Sequence, residues 1–303
     1  MSSDTLKNQT SSFNLISYFK SLILLMKPRV MSLVIFTCAV GLLTSNSNTN
    51  ITDAMIGITL VALGAGAAGC LNMWYEADLD ALMTRTCLRP IPTGKINKKQ
   101  ALVFGIFLTV FSVSTLNYFA NTLSAMLLLF TILFYLFVYT IWLKRITPQN
   151  IVIGGVAGSL PPVIGWTIAT NSISLASISL FLIIFLWTPS HFWALSLYKA
   201  DDYKKAKIPM MPLTNGIEKT KIYIFIYSLL MLPVIILPYA INFSGLVYLI
   251  PAMMLTIYYN FMCYDLYKHK KNKFVLKKAK KVFGYSILYL FLIFVLFLID
   301  NLI

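Results

Sequence analysis

The chain has 303 residues, of which 58% are hydrophobic and 12% charged, with a mean hydropathy of +0.78. Soluble domains run at about 45–50% apolar and about 25% charged, so this composition excludes a soluble globular protein and predicts a polytopic membrane protein. The net charge of +15 would suit nucleic acid, but the placement of the basic residues excludes that class, and the four cysteines, Cys38, Cys70, Cys87 and Cys263, show no CxxC spacing for zinc or a disulfide framework.

Residues 1–26 read as a polar cytoplasmic segment with neither a signal-peptide core nor the Arg-rich character of a transit peptide, which favours a bacterial inner membrane over an organelle. From residue 27 onward, apolar runs of membrane length recur. Nine spans are expected, at about 30–47, 53–75, 101–119, 122–142, 150–170, 174–197, 222–241, 244–263 and 282–300, forming one all-α bundle over 27–303. In the fifth, Gly154-Gly155 and Pro161-Pro162 predict close packing or a break.

The linkers alternate in charge. Those near 45–52, 117–124, 169–174 and 240–245 carry no Lys or Arg, so all 25 basic residues fall on the other side. That asymmetry places the N-terminus in the cytoplasm and the C-terminus in the periplasm. It also assigns the surplus charge to orientation and to anionic lipid, with the run over 268–281 read as a solvated surface loop. Two inner loops, about 80–99 and 199–221, are long enough to serve as caps over a site.

Each of those loops follows a cluster of carboxylates. The chain has only ten Asp and Glu, yet Glu76, Asp78 and Asp80 end the second span, and Asp201 and Asp202 end the sixth. Ionisable groups beside a bilayer point to function. On a helix Asn72, Glu76 and Asp80 share one face at steps of about 6 Å, while Asp78 points elsewhere. Hard oxygens of this kind suit Mg²⁺ carrying a phosphate ligand, and facing clusters on two helices can hold such a metal between them. The competing reading is a polar helix end, or ion pairs with Arg85 and Arg89. Arg85, Arg89, Lys144 and Lys199 would complement a diphosphate.

The motif NMWYEADLD (72–80), followed by RTCLRPIPTG (85–94), resembles the UbiA-type intramembrane prenyltransferases. The blocks KPRV (27–30), YTIWLKRITPQNIVIGG (139–155), GSLPPVIGW (158–166), WTPSHFWALSLYKADDY (187–203) and IPMMPLTNG (208–216) are most similar to the branch that farnesylates haem. They run in family order over roughly 27–216. Glu76 stands where the family usually has Asp. In the sixth span His191 and Tyr198 replace aspartates of the quinone-type members, and Asp202 is kept.

The resemblance implies transfer of farnesyl from farnesyl diphosphate to a vinyl group of haem B, giving haem O. It implies Mg²⁺ on Asn72, Glu76, Asp80 and Asp202, with diphosphate bound by Arg29, Arg85, Arg89, Tyr139, Lys144 and Lys199. His191 and Tyr198 are then the expected haem-binding residues. His191, one of two histidines, would ligate iron or orient a propionate; the alternative is a hydrogen-bonded packing residue. Trp166, Trp187 and Trp193 are expected to pack rather than to stack on haem. Expected partners are the bilayer and, downstream, a haem A synthase or a terminal oxidase. The competing functions are a prenyltransferase acting on a quinone precursor and a secondary transporter, whose site would lie near the midplane.

Overall fold

The computed structural model describes residues 15–45, 47 and 49–303, and among these every regular element is helical. In chain order they are α1 (Leu15–Leu25), α2 (Pro28–Leu43), α3 (Ile51–Tyr75), α4 (Ala77–Leu82), α5 (Lys98–Phe119) and α6 (Thr122–Leu133). The α6 helix continues as a π-helix over Phe134–Trp142 and ends in one 3₁₀ turn, Leu143–Arg145. There follow α7 (Asn150–Ser159), α8 (Pro161–Thr170), α9 (Leu175–Tyr198), α10 (Ala200–Lys205), α11 (Met211–Thr214), α12 (Gly216–Ala240), α13 (Leu246–Lys268) and α14 (Asn272–Leu302).

Eight of the resulting segments are long and apolar enough to cross a membrane, and α1 with α2, bent by 54° where they meet, brings the number to nine. The expected nine-span, all-α architecture is therefore what folds. The spans begin where side chains can satisfy free amides. Asn97 with Gln100, and Ser174 with Ser177, form capping boxes at α5 and α9. Pro28 and Pro161 open α2 and α8, where a missing N–H costs nothing.

Backbone contact sets two of the helix packings. A Cβ on Gly41 of α2 would stand 2.0 Å from the Pro162 carbonyl oxygen, and one on Gly165 of α8 would stand 1.9 Å from that of Cys38. Glycine is what lets these two helices touch. On the other side, α9, α12, α13 and α14 share one apolar core that also takes in Leu79 and Met83 from the α4 region and Tyr203, Ile208 and Met210 from the 199–221 loop. Both inner loops are thus anchored in a single core. Lys221, wholly buried, donates to the carbonyls of Tyr267 (3.3 Å) and His269 (2.7 Å) and ties α12 to the end of α13. Asp300 accepts from the amides of Gly245 (2.7 Å) and Tyr248 (3.1 Å) and caps α13.

Several boundaries differ from expectation. Within the 1–26 segment read as polar, residues 1–14 lie outside the described residues, and Leu15–Leu25 forms a helix. Its Leu25 packs with Cys70, Met73, Ile91 and Ile96. The 268–281 run is a loop only over 269–271; Lys268 ends α13 and the lysines from 273 onward extend α14 by two to three turns, with Val275 and Ala279 facing the core. The fourth span changes helix type at Phe134, and the fifth breaks at Leu160 before the proline pair. Cys38, Cys70 and Cys263 are buried free thiols as expected, and Cys87 is half-buried.

Candidate active site

The acidic motif spans a break between α3 and α4. Asn72 lies in the last turn of α3, Glu76 at the break and Asp80 in α4, and all three are buried. The Glu76 amide donates to the Asn72 carbonyl (2.9 Å) and that of Asp80 to the Glu76 carbonyl (2.8 Å). The i, i+4 spacing therefore survives the break and keeps the three side chains on one side. Asp78 turns away, is largely exposed, and pairs with Arg145 at 3.1 Å.

Each of the three buried polar groups meets a basic side chain. Lys27 Nζ donates to Asn72 Oδ1 at 2.5 Å. Lys144 Nζ lies between the two oxygens of Glu76, 2.5 Å from Oε1 and 2.6 Å from Oε2, and hydrogen-bonds the second. One guanidinium nitrogen of Arg89 donates to both oxygens of Asp80, at 2.8 and 2.7 Å. The ion pair weighed for Arg89 is present, while Arg85 is exposed. Breaking such a buried pair by removing one partner typically costs about 3–5 kcal/mol, because a charge is left unpaired in low dielectric.

The basic residues are themselves positioned by local structure. Lys27 occupies the left-handed region, φ 56°, at the bend between α1 and α2. Non-glycine residues reach that region at a cost and cluster at functional positions. Gly66 and Gly69 make room for the bend, since a Cβ at Gly66 would lie 2.6 Å from Met26 Cε. Lys144 is delivered by the π-helix. Within it Thr140 Oγ1 donates to the Tyr135 carbonyl five residues back (2.8 Å) and accepts from Asn72 Nδ2 (2.9 Å). Single π turns within α-helices recur at functional sites. The ring centroid of Tyr139 lies 5.7 Å from Lys144 Nζ, and Gly154 of α7 packs on that ring.

The second cluster is less closely engaged. Asp201 is exposed and Asp202 half-buried, the latter without a side-chain hydrogen bond or ion pair among the described residues. Tyr203, next in the chain, is buried within electrostatic reach of Tyr139 and Tyr198, and the exposed Arg85 lies within reach of the same two rings. Lys199 caps the end of α9 half-buried, and Arg29 is exposed near the α1–α2 bend. Among the described residues no three Asp, Glu, His or Cys side chains are gathered closely enough to hold a metal by themselves. The donor set nonetheless fits Mg²⁺. Its atoms are hard oxygens gathered on one side of the α3–α4 break, and Asp202 brings a carboxylate without an ion pair among the described residues.

Deeper along α9, seven residues or about 10 Å before Tyr198, His191 is buried between α9 and α14. Its Nδ1 lies 2.6 Å from Ser286 Oγ, and its ring stacks against Trp187 and Phe283 at 4.2 and 4.6 Å. Phe283 also meets Tyr198 edge-on at 5.7 Å, so the two expected haem-side residues share a neighbour. Trp166, Trp187 and Trp193 are all buried, in keeping with packing roles. Sequence reasoning did not single out Lys27, Thr140, Arg145 or Ser286. The block KPRV held a signal for Lys27; the others are visible only through contacts across 67 or more residues.

Eight or nine apolar spans, with Lys144 and Arg89 paired to the buried carboxylates Glu76 and Asp80, define a polytopic membrane protein with a charged cluster set into an apolar bundle. The chain belongs to the UbiA prenyltransferase family, whose model matches residues 33–287. It is 75% identical over 294 residues to the protoheme IX farnesyltransferase of Pelagibacter ubique, covering 97% of this chain and 96% of that one. It is 52% identical over 277 residues to protoheme IX farnesyltransferase 2 of Mesorhizobium japonicum, covering 91% and 88%. In fold it is similar to a digeranylgeranylglyceryl phosphate synthase (TM-score 0.78, 19% identity, 94% and 98% covered). It is also similar to a UbiA homologue from Archaeoglobus fulgidus bound to DMAPP and Mg²⁺ (TM-score 0.64, 16% identity, 91% and 99% covered).

Proposed function

We propose that the chain transfers the farnesyl group of farnesyl diphosphate to a vinyl group of haem B, giving haem O and diphosphate. The observation that carries this reading is near-full-length identity of 75% to a protoheme IX farnesyltransferase, in a chain that keeps the paired acidic and basic residues described above. Family membership sets aside the secondary transporter.

Asn72, Glu76, Asp80 and Asp202 are the residues that would hold Mg²⁺, which supplies charge neutralisation to the leaving diphosphate. Lys27, Lys144 and Arg89, held beside Asn72, Glu76 and Asp80, would donate to phosphate oxygens, joined by Arg29, Arg85, Lys199 and the Tyr139 hydroxyl. Preorganised cations of this kind act where charge develops in the transition state. The C–O bond to diphosphate breaks, and C1 of the farnesyl cation takes the electron pair of the vinyl group. Water adds to the resulting cation and releases a proton to diphosphate, leaving a hydroxyethylfarnesyl substituent. His191 and Tyr198 line the acceptor side, where the apolar wall of α9 and α14 keeps farnesyl and porphyrin out of water.

The basic ends of the spans support an inner-membrane location with the site facing the cytoplasm. Haem O then passes to a haem A synthase or a terminal oxidase. The test is direct. Purified protein in lipid, given Mg²⁺, haem B and farnesyl diphosphate, should yield haem O by mass spectrometry. No haem O, but a prenylated phenolic acid when one is supplied, overturns the acceptor assignment.

A further inference from the structure

We infer that Ser286 fixes His191 in the Nδ1–H tautomer, so that its Nε2 lone pair is presented as an axial ligand to the iron of the haem acceptor. The inference rests on the reading of haem B as substrate, and it adds a positioning residue on the last helix.

The second contact of the Ser286 hydroxyl favours one tautomer. Ser286 Oγ has one proton, which it donates to the Phe283 carbonyl at 2.7 Å. With that proton engaged, Ser286 Oγ meets His191 Nδ1 at 2.6 Å as an acceptor, the arrangement that favours the ring proton on Nδ1. The neutral ring then has its lone pair on Nε2. Nε2 makes no hydrogen bond to any described residue, although His191 is 7% exposed. Nε2 is therefore not sealed off: the residual exposure of His191 leaves that edge of the ring open to a ligand.

The surroundings hold the ring still. Trp187 and Phe283 stack against it, Phe192 meets it edge-on at 5.0 Å, and Trp187 Nε1 donates to the Ser286 carbonyl at 2.9 Å. Imidazole ligands to metals characteristically donate their second nitrogen to an acceptor that fixes tautomer and orientation, and the Ser286–Phe283 relay has that form. Phe283 continues the wall from His191 to Tyr198 and so toward the cationic end of the site.

The chain has only two histidines, His191 and His269, which makes isotope labelling nearly site-specific. Full-length protein carrying ¹⁵N-histidine, in lipid nanodiscs with ferric haem B, is examined by absorption and pulsed EPR. A histidine-ligated spectrum with ¹⁵N hyperfine coupling is expected. It should persist in His269→Asn, vanish in His191→Ala and return on adding imidazole. Ser286→Ala should raise the haem Kd by about 10–100-fold, with Ser286→Thr close to the unaltered protein. Absence of ¹⁵N coupling in the unaltered sequence overturns the ligation without relying on any variant to fold. An unchanged spectrum and Kd in Ser286→Ala overturns the positioning role. Haem O made without nitrogen ligation leaves the proposed function intact, whereas ligation without haem O overturns that function alone.

Discussion

Lys144 Nζ donates to Glu76 Oε2 at 2.6 Å across 68 residues of sequence, and the pair is almost sealed from solvent, with side-chain exposures of 11% and 2%. A carboxylate so placed is stable as an anion only while a cation stays beside it. Replacing Lys144 by Met keeps the stem and removes the charge. We expect a loss of about 3–5 kcal/mol in stability, together with loss of turnover. Glu76→Gln in the same background should restore the thermal midpoint but not the activity. A thermal melt in detergent run beside the haem O assay reads both.

Asp202 gives the sharper test of the metal site. Its carboxylate has no ion pair or side-chain hydrogen bond among the described residues, so Asp202→Ala should leave stability unchanged while turnover falls by about a hundredfold or more. Asp80→Asn should lower turnover similarly, and chelation with EDTA should abolish it until Mg²⁺ is restored. Full activity in Asp202→Ala would remove that residue from the site.

A steric route reaches the same place without altering charge. A Cβ on Gly154 would lie 2.3 Å from Tyr139 Cδ2, so Gly154→Ala must push the ring, and with it the segment that carries Lys144. Displacements near 1 Å can cost up to about 10²-fold in rate. Gly154→Ala should reduce turnover by about tenfold or more. Adding Tyr139→Ala should relieve the clash, so the two stability changes will not sum.

Gly41 and Gly165 belong to the scaffold. Either alanine would place its Cβ within 2.0 Å of a backbone carbonyl on the facing helix, where no side-chain rotation helps. Each should cost at least about 1–3 kcal/mol, read as a lowered thermal midpoint in the membrane-extracted protein.

What the sequence made legible is what local spacing controls. The nine spans, the break at the proline pair, the outward turn of Asp78 and the clustering of Asn72, Glu76 and Asp80 all follow from apolar length, proline geometry and i, i+4 periodicity. The α1 helix was missed because its 11 residues fall short of a membrane span and sit beside a polar stretch. Lys27 was passed over because nothing in Met-Lys-Pro announces a left-handed lysine; its bend lies against Gly66 and Gly69 of α3, a contact that local sequence does not report. The pairing of carboxylates with cations was weighed only as the competing reading. Lys144, the partner of Glu76, and Lys27, which donates to Asn72, come from distant spans, and no periodicity reports them. The Ser286–His191 contact joins two helices 95 residues apart and was equally silent.

The π-helix over Phe134–Trp142 works as a phase offset in the fourth span. An α-helix turns about 100° per residue, so the residue it accommodates beyond α geometry swings everything downstream by that angle. Thr140 reaches Asn72, and Lys144 reaches Glu76, because of that offset. Deleting one residue near the start of the segment would leave composition, hydropathy and span count essentially intact. It would also aim Lys144 at lipid and strand Glu76 without its cation. In this stretch the length of the chain is itself a functional character, as constrained as any side chain it carries.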